Sequence, residues 1–143
     1  MNGVLATAVS GLTASSMWMD AIASNIANAR DEGPIPPTPP SQPIPPASSN
    51  QPALYQPVTA SFTSVANGNG GVAANIVTQL PSYDIAYDPS SPSANPQGLV
   101  AMPNVDLATQ FVDQLMATTA YRANIAVVKT ADKVMQTTID MVA

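Results

Sequence analysis

The stretch NGVLATAVSGLTASSMWMDAIASNIANA, residues 2–29, decides the fold. Leu5, Leu12, Met19 and Ile26 recur every seven residues, with Ala8 and Ile22 between them, which is the spacing of a helix with a narrow apolar seam. Asn2 stands where an N-cap belongs. Asp31-Glu32-Gly33-Pro34 breaks the run, because Gly and Pro are both common just past a helix end. A first helix is therefore expected over roughly Asn2–Ala29. Residues 1–19 carry no charge, but Asn2, Thr7, Ser10, Thr13, Ser15 and Ser16 interrupt them and no basic region precedes them. They read as an uncleaved soluble helix, since a membrane span needs about 20 mostly apolar residues and a signal peptide a basic start.

The same heptad logic returns at the other end. Pro103-Asn104 opens a second helix with Asn104 as its cap, and the helix runs to the C-terminus. Phe111, Ile125 and Ile139 form one row, interrupted by Thr118 and Asp132, and Tyr121, Val128, Met135 and Val142 form another. At 1.5 Å per residue such a helix is roughly 57 Å long, more than so small a domain needs. The seams fit an internal antiparallel pair, packing against other subunits, or both.

Between the helices the composition changes twice. Ten of the fifteen prolines fall from Pro34 to Pro57, including Pro36-Pro37, Pro39-Pro40 and Pro45-Pro46, so neither helix nor strand ladder can persist there. This tract reads as an extended or disordered linker. With no Arg or Lys between Asp31 and Tyr121 to orient docking in an aromatic groove, linker is favoured over ligand. Val58–Val65, Gly71–Gln79 and Ser82–Tyr87 then read as three short strands, the first two joined by a turn at Asn67-Gly68-Asn69-Gly70-Gly71. Asp88 to Gly98 is turn-rich again. The expected fold is mainly α with a small β insert: long N- and C-terminal helices forming a two-helix coil, a short β-hairpin or three-strand domain, and a Pro-rich linker. The expected segments are 1–30, 31–57, 58–103 and 104–143.

Composition narrows the function. The chain has 143 residues, 45% hydrophobic but only 9% charged and 5% aromatic, with net charge −5. Charge helps keep proteins apart in solution, and an ordinary domain carries about 25% charged residues, so this surface suits a protein that lives among partners. Arg30, Arg122, Lys129 and Lys133 are its only basic residues, too few to neutralise nucleic-acid phosphates. There is no Cys, no His and a single glutamate, Glu32, which removes thiolate chemistry and the usual general bases. Asp84 and Asp88 fit a solvated turn better than a calcium loop, which wants six to eight oxygens. Gly68, Gly70 and Gly71 lack the Lys-Ser or Lys-Thr of a phosphate loop. Lys129 and Lys133 read as a solvated face, and Trp18 and Tyr121 as core or interface anchors. No cofactor, metal or catalytic residue is expected.

Ser10-Gly11-Leu12-Thr13-Ala14, followed by Ala23-Ser24-Asn25-Ile26-Ala27-Asn28-Ala29, resembles the amino-terminal signature of the flagellar rod and hook family. Tyr87-Asp88-Pro89, Pro92, Ala94-Asn95, Gly98, Val100, Met102-Pro103-Asn104-Val105, Ala120-Tyr121 and Ala123-Asn124 resemble its proximal-rod members. The resemblance implies a non-enzymatic axial protein, exported unfolded through the flagellar type III apparatus and polymerised into the proximal rod in the periplasm. It implies as neighbours the proximal rod proteins B and F, the rod-base adaptor protein E, and further copies of the chain, with the surrounding basal-body ring beside them. The expected subunit interface comprises Leu5, Leu12, Met19, Ile22, Asn25, Ile26 and Asn28 on the first helix. On the second it comprises Asn104, Phe111, Tyr121, Asn124, Ile125, Val128, Met135 and Ile139. Ser91, Leu99 and Thr118-Thr119 depart from the family pattern, and the Pro34 to Pro57 tract reads as an insertion. The competing reading is a free-standing secreted binding module that engages a partner through that tract; a third, an enzyme, would have to rest on Asp84, Asp88 or Asp106.

Overall fold

The computed structural model describes residues 2–46, 53–65 and 70–141. Helix α1 spans Asn2–Ala27 and helix α2 Leu107–Asp140, the latter about 51 Å long at 1.5 Å per residue. Between them lie four strands, β1 Val58–Ser64, β2 Val72–Thr78, β3 Tyr83–Tyr87 and β4 Leu99–Pro103. The architecture is mainly α with a small β insert, as the seams predict.

Both helix boundaries differ from expectation by a turn or less. α1 closes two residues early, because the Asn28 side chain turns back to donate to Ser24 O at 2.8 Å while Asp31 N closes a turn on Asn28 O. α2 starts later than Pro103-Asn104 suggests, and its cap is Asp106. The Asp106 carboxylate accepts from Ala108 N at 3.0 Å and from the Thr109 hydroxyl at 2.7 Å, the geometry of an N-cap. Asn104 instead donates to Pro81 O and to Ser82 O, outside the helix.

The β region departs further. Instead of one three-stranded sheet there are two two-stranded sheets, β1–β2 and β3–β4. The second is antiparallel, in register from Tyr83 opposite Pro103 to Tyr87 opposite Leu99. Strand β4 falls in a stretch read as turn and helix approach; Leu99-Val100-Ala101-Met102 is a short apolar run between Gly98 and Pro103, with no periodicity to announce it. Of the expected β1–β2 turn, Asn67 to Asn69 lie outside the described residues. Gly70 and Gly71 both have positive φ, as a glycine-rich turn requires.

Chain contacts divide the protein into two compact units. The first gathers residues 1–20, 60–76 and 112–143, and the second residues 21–59 and 77–111, so each helix contributes to both. In the first unit α1 and α2 run antiparallel: Gly11 lies against the Asn124 side chain, while Thr118 reaches Met19. The β1–β2 hairpin joins this pair through Ser10, whose hydroxyl accepts from Val72 N at 3.1 Å, and through an edge-to-face contact of Trp18 with Phe62.

In the second unit the proline tract is ordered against the β3–β4 hairpin where residues 34–46 are described. It has no helix or ladder, as expected, but it is no free linker. Gly33 and Ala101 exchange both backbone hydrogen bonds, Ile35 and Ile44 pack on the core of Leu54, Tyr83 and Ala101, and Pro40 O accepts from Ser82 N. The Tyr83 hydroxyl donates to Thr38 O at 2.7 Å, and burial pushes that phenol above its usual range. Prolines suit this role, since a chain that must cross a hairpin without pairing along its length lacks little when it lacks N–H groups.

Candidate assembly interface

The motif asparagines face inward. Asn25 is 1% exposed, and its amide is satisfied on both ends. Its Nδ2 donates to Val58 O at 2.7 Å and to Gln110 Oε1 at 2.9 Å, and its Oδ1 accepts from Val58 N at 3.0 Å and the Tyr55 hydroxyl at 2.9 Å. One side chain therefore ties α1 to the start of β1, to Tyr55 and to Gln110 on α2. Ser24 shares the Tyr55 hydroxyl at 3.0 Å. Buried polar groups persist when partnered in this way, and an asparagine offers the donor and acceptor together that a peptide edge such as that of Val58 needs.

Ser10 and Gly11 do the same work in the first unit. A Cβ on Gly11 would come within 2.7 Å of the Asn124 amide, which is itself held by donating to Ala120 O at 2.9 Å. A Cβ on Gly71 would come within 2.6 Å of the Ser10 hydroxyl. The helix pair and the hairpin thus close on each other through glycine.

These placements revise the expected interface. Ile22 and Asn25 are buried within the chain and are not available to a neighbour. Leu5, Leu12, Met19, Ile26, Asn28, Asn104, Tyr121, Asn124, Ile125, Val128 and Met135 are half-buried, with Asn28, Asn104 and Asn124 bonded to their own backbone surroundings. Phe111 and Ile139 stand out to solvent.

The sequence rows miss a further feature. In the first unit α2 buries Ala117 and Ala131 against its partners, and a different face carries Val112, Met116, Val127, Val134 and Met141, 41 to 82% exposed. Val127, Val134 and Met141 recur every seven residues, so this is a second apolar seam, pointing out. The signal was in the sequence, but it is weaker in bulk than the Ile125 and Tyr121 rows and was overshadowed by them. The Val127 end of the seam borders an open groove of about 480 Å³, lined by Gly3, Val4, Thr7, Ala8, Asn124 and Val127.

The acids offer no chemistry. At Asp88 the Ser90 hydroxyl and N–H hold the carboxyl below the usual range; Asp106 is held low by Thr109 and Ala108 as a cap. Among the described residues no three His, Cys, Asp or Glu cluster as metal ligands, and no helix is long and apolar enough to cross a membrane.

Comparison with known proteins matches both ends of the chain. Residues 5–30 match the flagella basal body rod protein family, and residues 97–141 the C-terminal family of the flagellar basal body rod FlgEFG proteins. The class is a structural subunit of the flagellar rod. The flagellar basal-body rod protein FlgC of Escherichia coli O6:H1 is 33% identical over 136 residues, covering 92% of this chain and 90% of the relative. The FlgC protein of Salmonella typhimurium matches at the same identity and coverage, and that of Agrobacterium fabrum at 30%, covering 92% and 88%. The chain belongs to the flagellar basal-body rod protein FlgC family. It sits in the rod of the basal body and is not an enzyme, and the free-standing binding module finds no support.

Proposed function

We propose that this subunit enters the proximal part of the rod, in the periplasm, after unfolded export through the flagellar type III apparatus, and that it holds its neighbours chiefly through the outward seam of α2. The neighbours are the proximal rod proteins B and F, the adaptor protein E and further copies of the chain. One observation carries the reading: Val112, Met116, Val127, Val134 and Met141 lie exposed in heptad-like spacing on a helix whose inward face is already occupied by α1. Apolar side chains so arranged gain about 0.8 kcal/mol per CH₂ when another helix covers them. The half-buried Leu5, Leu12, Ile125, Val128 and Met135 flank the helix pair and become fully covered once neighbours arrive. Torque then passes through packed helices, which resist compression as protein interiors do.

The weak surface charge supports the same reading, because little like-charge repulsion opposes close packing. The experiment is replacement of Val127 and Val134 by Asp in the native chromosomal copy. Loss of this subunit from isolated basal bodies, with loss of motility, is the expected result. Normal incorporation and swimming would overturn the assignment of that seam.

A further inference from the structure

Open backbone is as much a docking surface as open side chains, and strand β3 has both. Asp88 N donates to Gly98 O at 2.9 Å and Asn104 N to Ser82 O at 3.2 Å, with Asp84 opposite Met102 and Ala86 opposite Val100 between them. In an antiparallel pair the ladder bonds fall on every second residue, so the even positions of β3 serve the ladder with β4. The N–H and C=O of Ile85 and Tyr87 then face away from it, and among the described residues no backbone partner meets them. The outer edge of β4 differs, since Gly33 exchanges both hydrogen bonds with Ala101 there. On the β3 side the proline tract reaches Ser82, whose N–H donates to Pro40 O, and goes no further along the strand. The side chains follow the same division. Tyr83, tied to the tract at Thr38 O, is 3% exposed, whereas Ile85 and Tyr87, on the same face by strand alternation, are 55% and 72% exposed. Tyr87 is held in place all the same: a Cβ on Gly98 would come within 2.8 Å of its ring, so the ring lies against that glycine.

We infer that the β3 edge receives an extended segment of a different protein, apolar at alternate positions and carrying two Lys or Arg four residues apart. An added strand supplies the missing backbone partners while its alternate side chains read the surface. On one face it sets apolar side chains beside Ile85 and Tyr87. On the other it meets Asp84, exposed within β3, and Asp88 just past the end of the strand, four residues or about 13 Å further on. The compact unit that holds β3 carries Asp31, Glu32, Asp84, Asp88 and Asp106 against Arg30 alone. Charge guards many exposed strand edges; here it is of one sign, which turns away acidic strands and draws in basic ones. A second copy of this chain cannot supply the segment in extended form. Arg122, Lys129 and Lys133 lie within α2, and Arg30 is followed at once by Asp31 and Glu32. The occupant is therefore another protein, and the contact is separate from the outward seam of α2.

Photo-cross-linking tests it. Copies carrying Tyr87→p-benzoylphenylalanine are incorporated into basal bodies, which are isolated and irradiated, and the linked peptides are sequenced by mass spectrometry. The expected result is a link to another basal-body protein, at a peptide with alternating apolar residues and two bases four apart. Incorporation without a link, a link to another copy of this chain, or a link to a peptide lacking that pattern overturns the inference. Incorporation itself reports on the rod reading, so the two failures are distinct. Should the variant not incorporate, the purified full chain gives the second readout, with fluorescein-labelled Val-Lys-Val-Thr-Val-Lys-Val as the probe. Its fluorescence anisotropy is expected to report binding that weakens about tenfold or more when both lysines of the probe become glutamate, and likewise in Asp84→Lys and in Ile85→Pro. Ile85→Pro leaves the ladder intact, because the N–H it removes faces outward. No binding, or equal binding by the glutamate probe or by either variant, overturns the inference.

Discussion

The two compact units are built on opposite principles. In the unit of residues 21–59 and 77–111, large and polar side chains alike are buried: Ile22, Leu54, Tyr83, Val100, Asn25, Ser82 and Gln110. In the unit of residues 1–20, 60–76 and 112–143, the described residues that reach full burial are small, Ala8, Ala14, Ser15, Ala117 and Ala131, while Val4, Val9, Phe62, Leu115, Met116, Val134 and Ile139 lie open. The former unit has a core of bulky side chains, although Leu80, Ile85, Tyr87 and Phe111 stay open on its surface. The other builds a close helix pair on alanine and glycine and leaves most of its bulky apolar side chains open or half-buried. The units therefore differ in what they bury, and under the proposed assembly the open side chains of the helix pair are the ones a neighbour covers.

The hardest way to break that contrast is at Asn25. Asn25→Leu would strand Val58 N–H and C=O and the Gln110 amide oxygen, leaving the Tyr55 hydroxyl only Ser24 as acceptor, and each unsatisfied buried group costs about 1–3 kcal/mol. A loss of about 3 kcal/mol or more in denaturant unfolding of the purified chain is expected. If Asn25→Leu folded as stably as the parent yet blocked assembly, the residue would belong to the interface after all.

Gly11→Ala comes next. Its methyl would meet the Asn124 amide, an overpacking that costs about 1–3 kcal/mol. Gly11→Ala combined with Asn124→Ala should recover most of that loss, because the clash is with the amide and not with backbone. Thermal unfolding of the two single variants and the double variant measures the coupling. Additive losses would mean that the helices do not meet through this pair.

How much of this was legible in the sequence follows from the same contrast. Heptads at Leu5, Leu12, Met19 and Ile26 and at Tyr121, Val128 and Met135 gave both helices, since periodicity survives whatever packs against it. The roles of Asn25, Asn28 and Asn124 did not follow, because an asparagine in a family motif looks the same whether it faces a neighbour or its own backbone. Only three-dimensional placement puts Val58 and Gln110 on opposite ends of one amide. The proline tract misled for a related reason: composition forbids a ladder, and says nothing against packing by Ile35 and Ile44. Strand β4 escaped because its five residues pair across a turn-rich loop with no alternation of their own.

A smaller effect is expected at Asp106. Its carboxyl is held low by Thr109 and Ala108, so its folded value lies below the ordinary 3.8. For a depressed acid the stabilisation is present above the unfolded value and disappears as pH falls through the folded one. Asp106→Asn keeps a good cap but has no proton to gain. Far-UV circular dichroism titrated from neutral pH to below pH 3.8 should show the parent losing an increment of α2 stability that the variant lacks. Identical acid profiles would mean that the cap contributes through its hydrogen bonds independently of charge.

The smallest effect on folding is the most informative about function. Val127→Ser and Val134→Ser remove apolar side chains that are already 41% and 49% exposed, and exposed substitutions away from special features usually stay within about 0.5 kcal/mol. The purified variants should therefore unfold at nearly the parental denaturant midpoint while competing poorly with the parent for places in the rod when the two are co-expressed. That pairing, unchanged stability with impaired incorporation, is what an outward seam requires, and a seam that served only the subunit's own fold could not produce it. Equal incorporation would shift the assembly surface towards the half-buried row of Tyr121, Val128 and Met135, and the distinction drawn between the two units would then run along the helix pair itself.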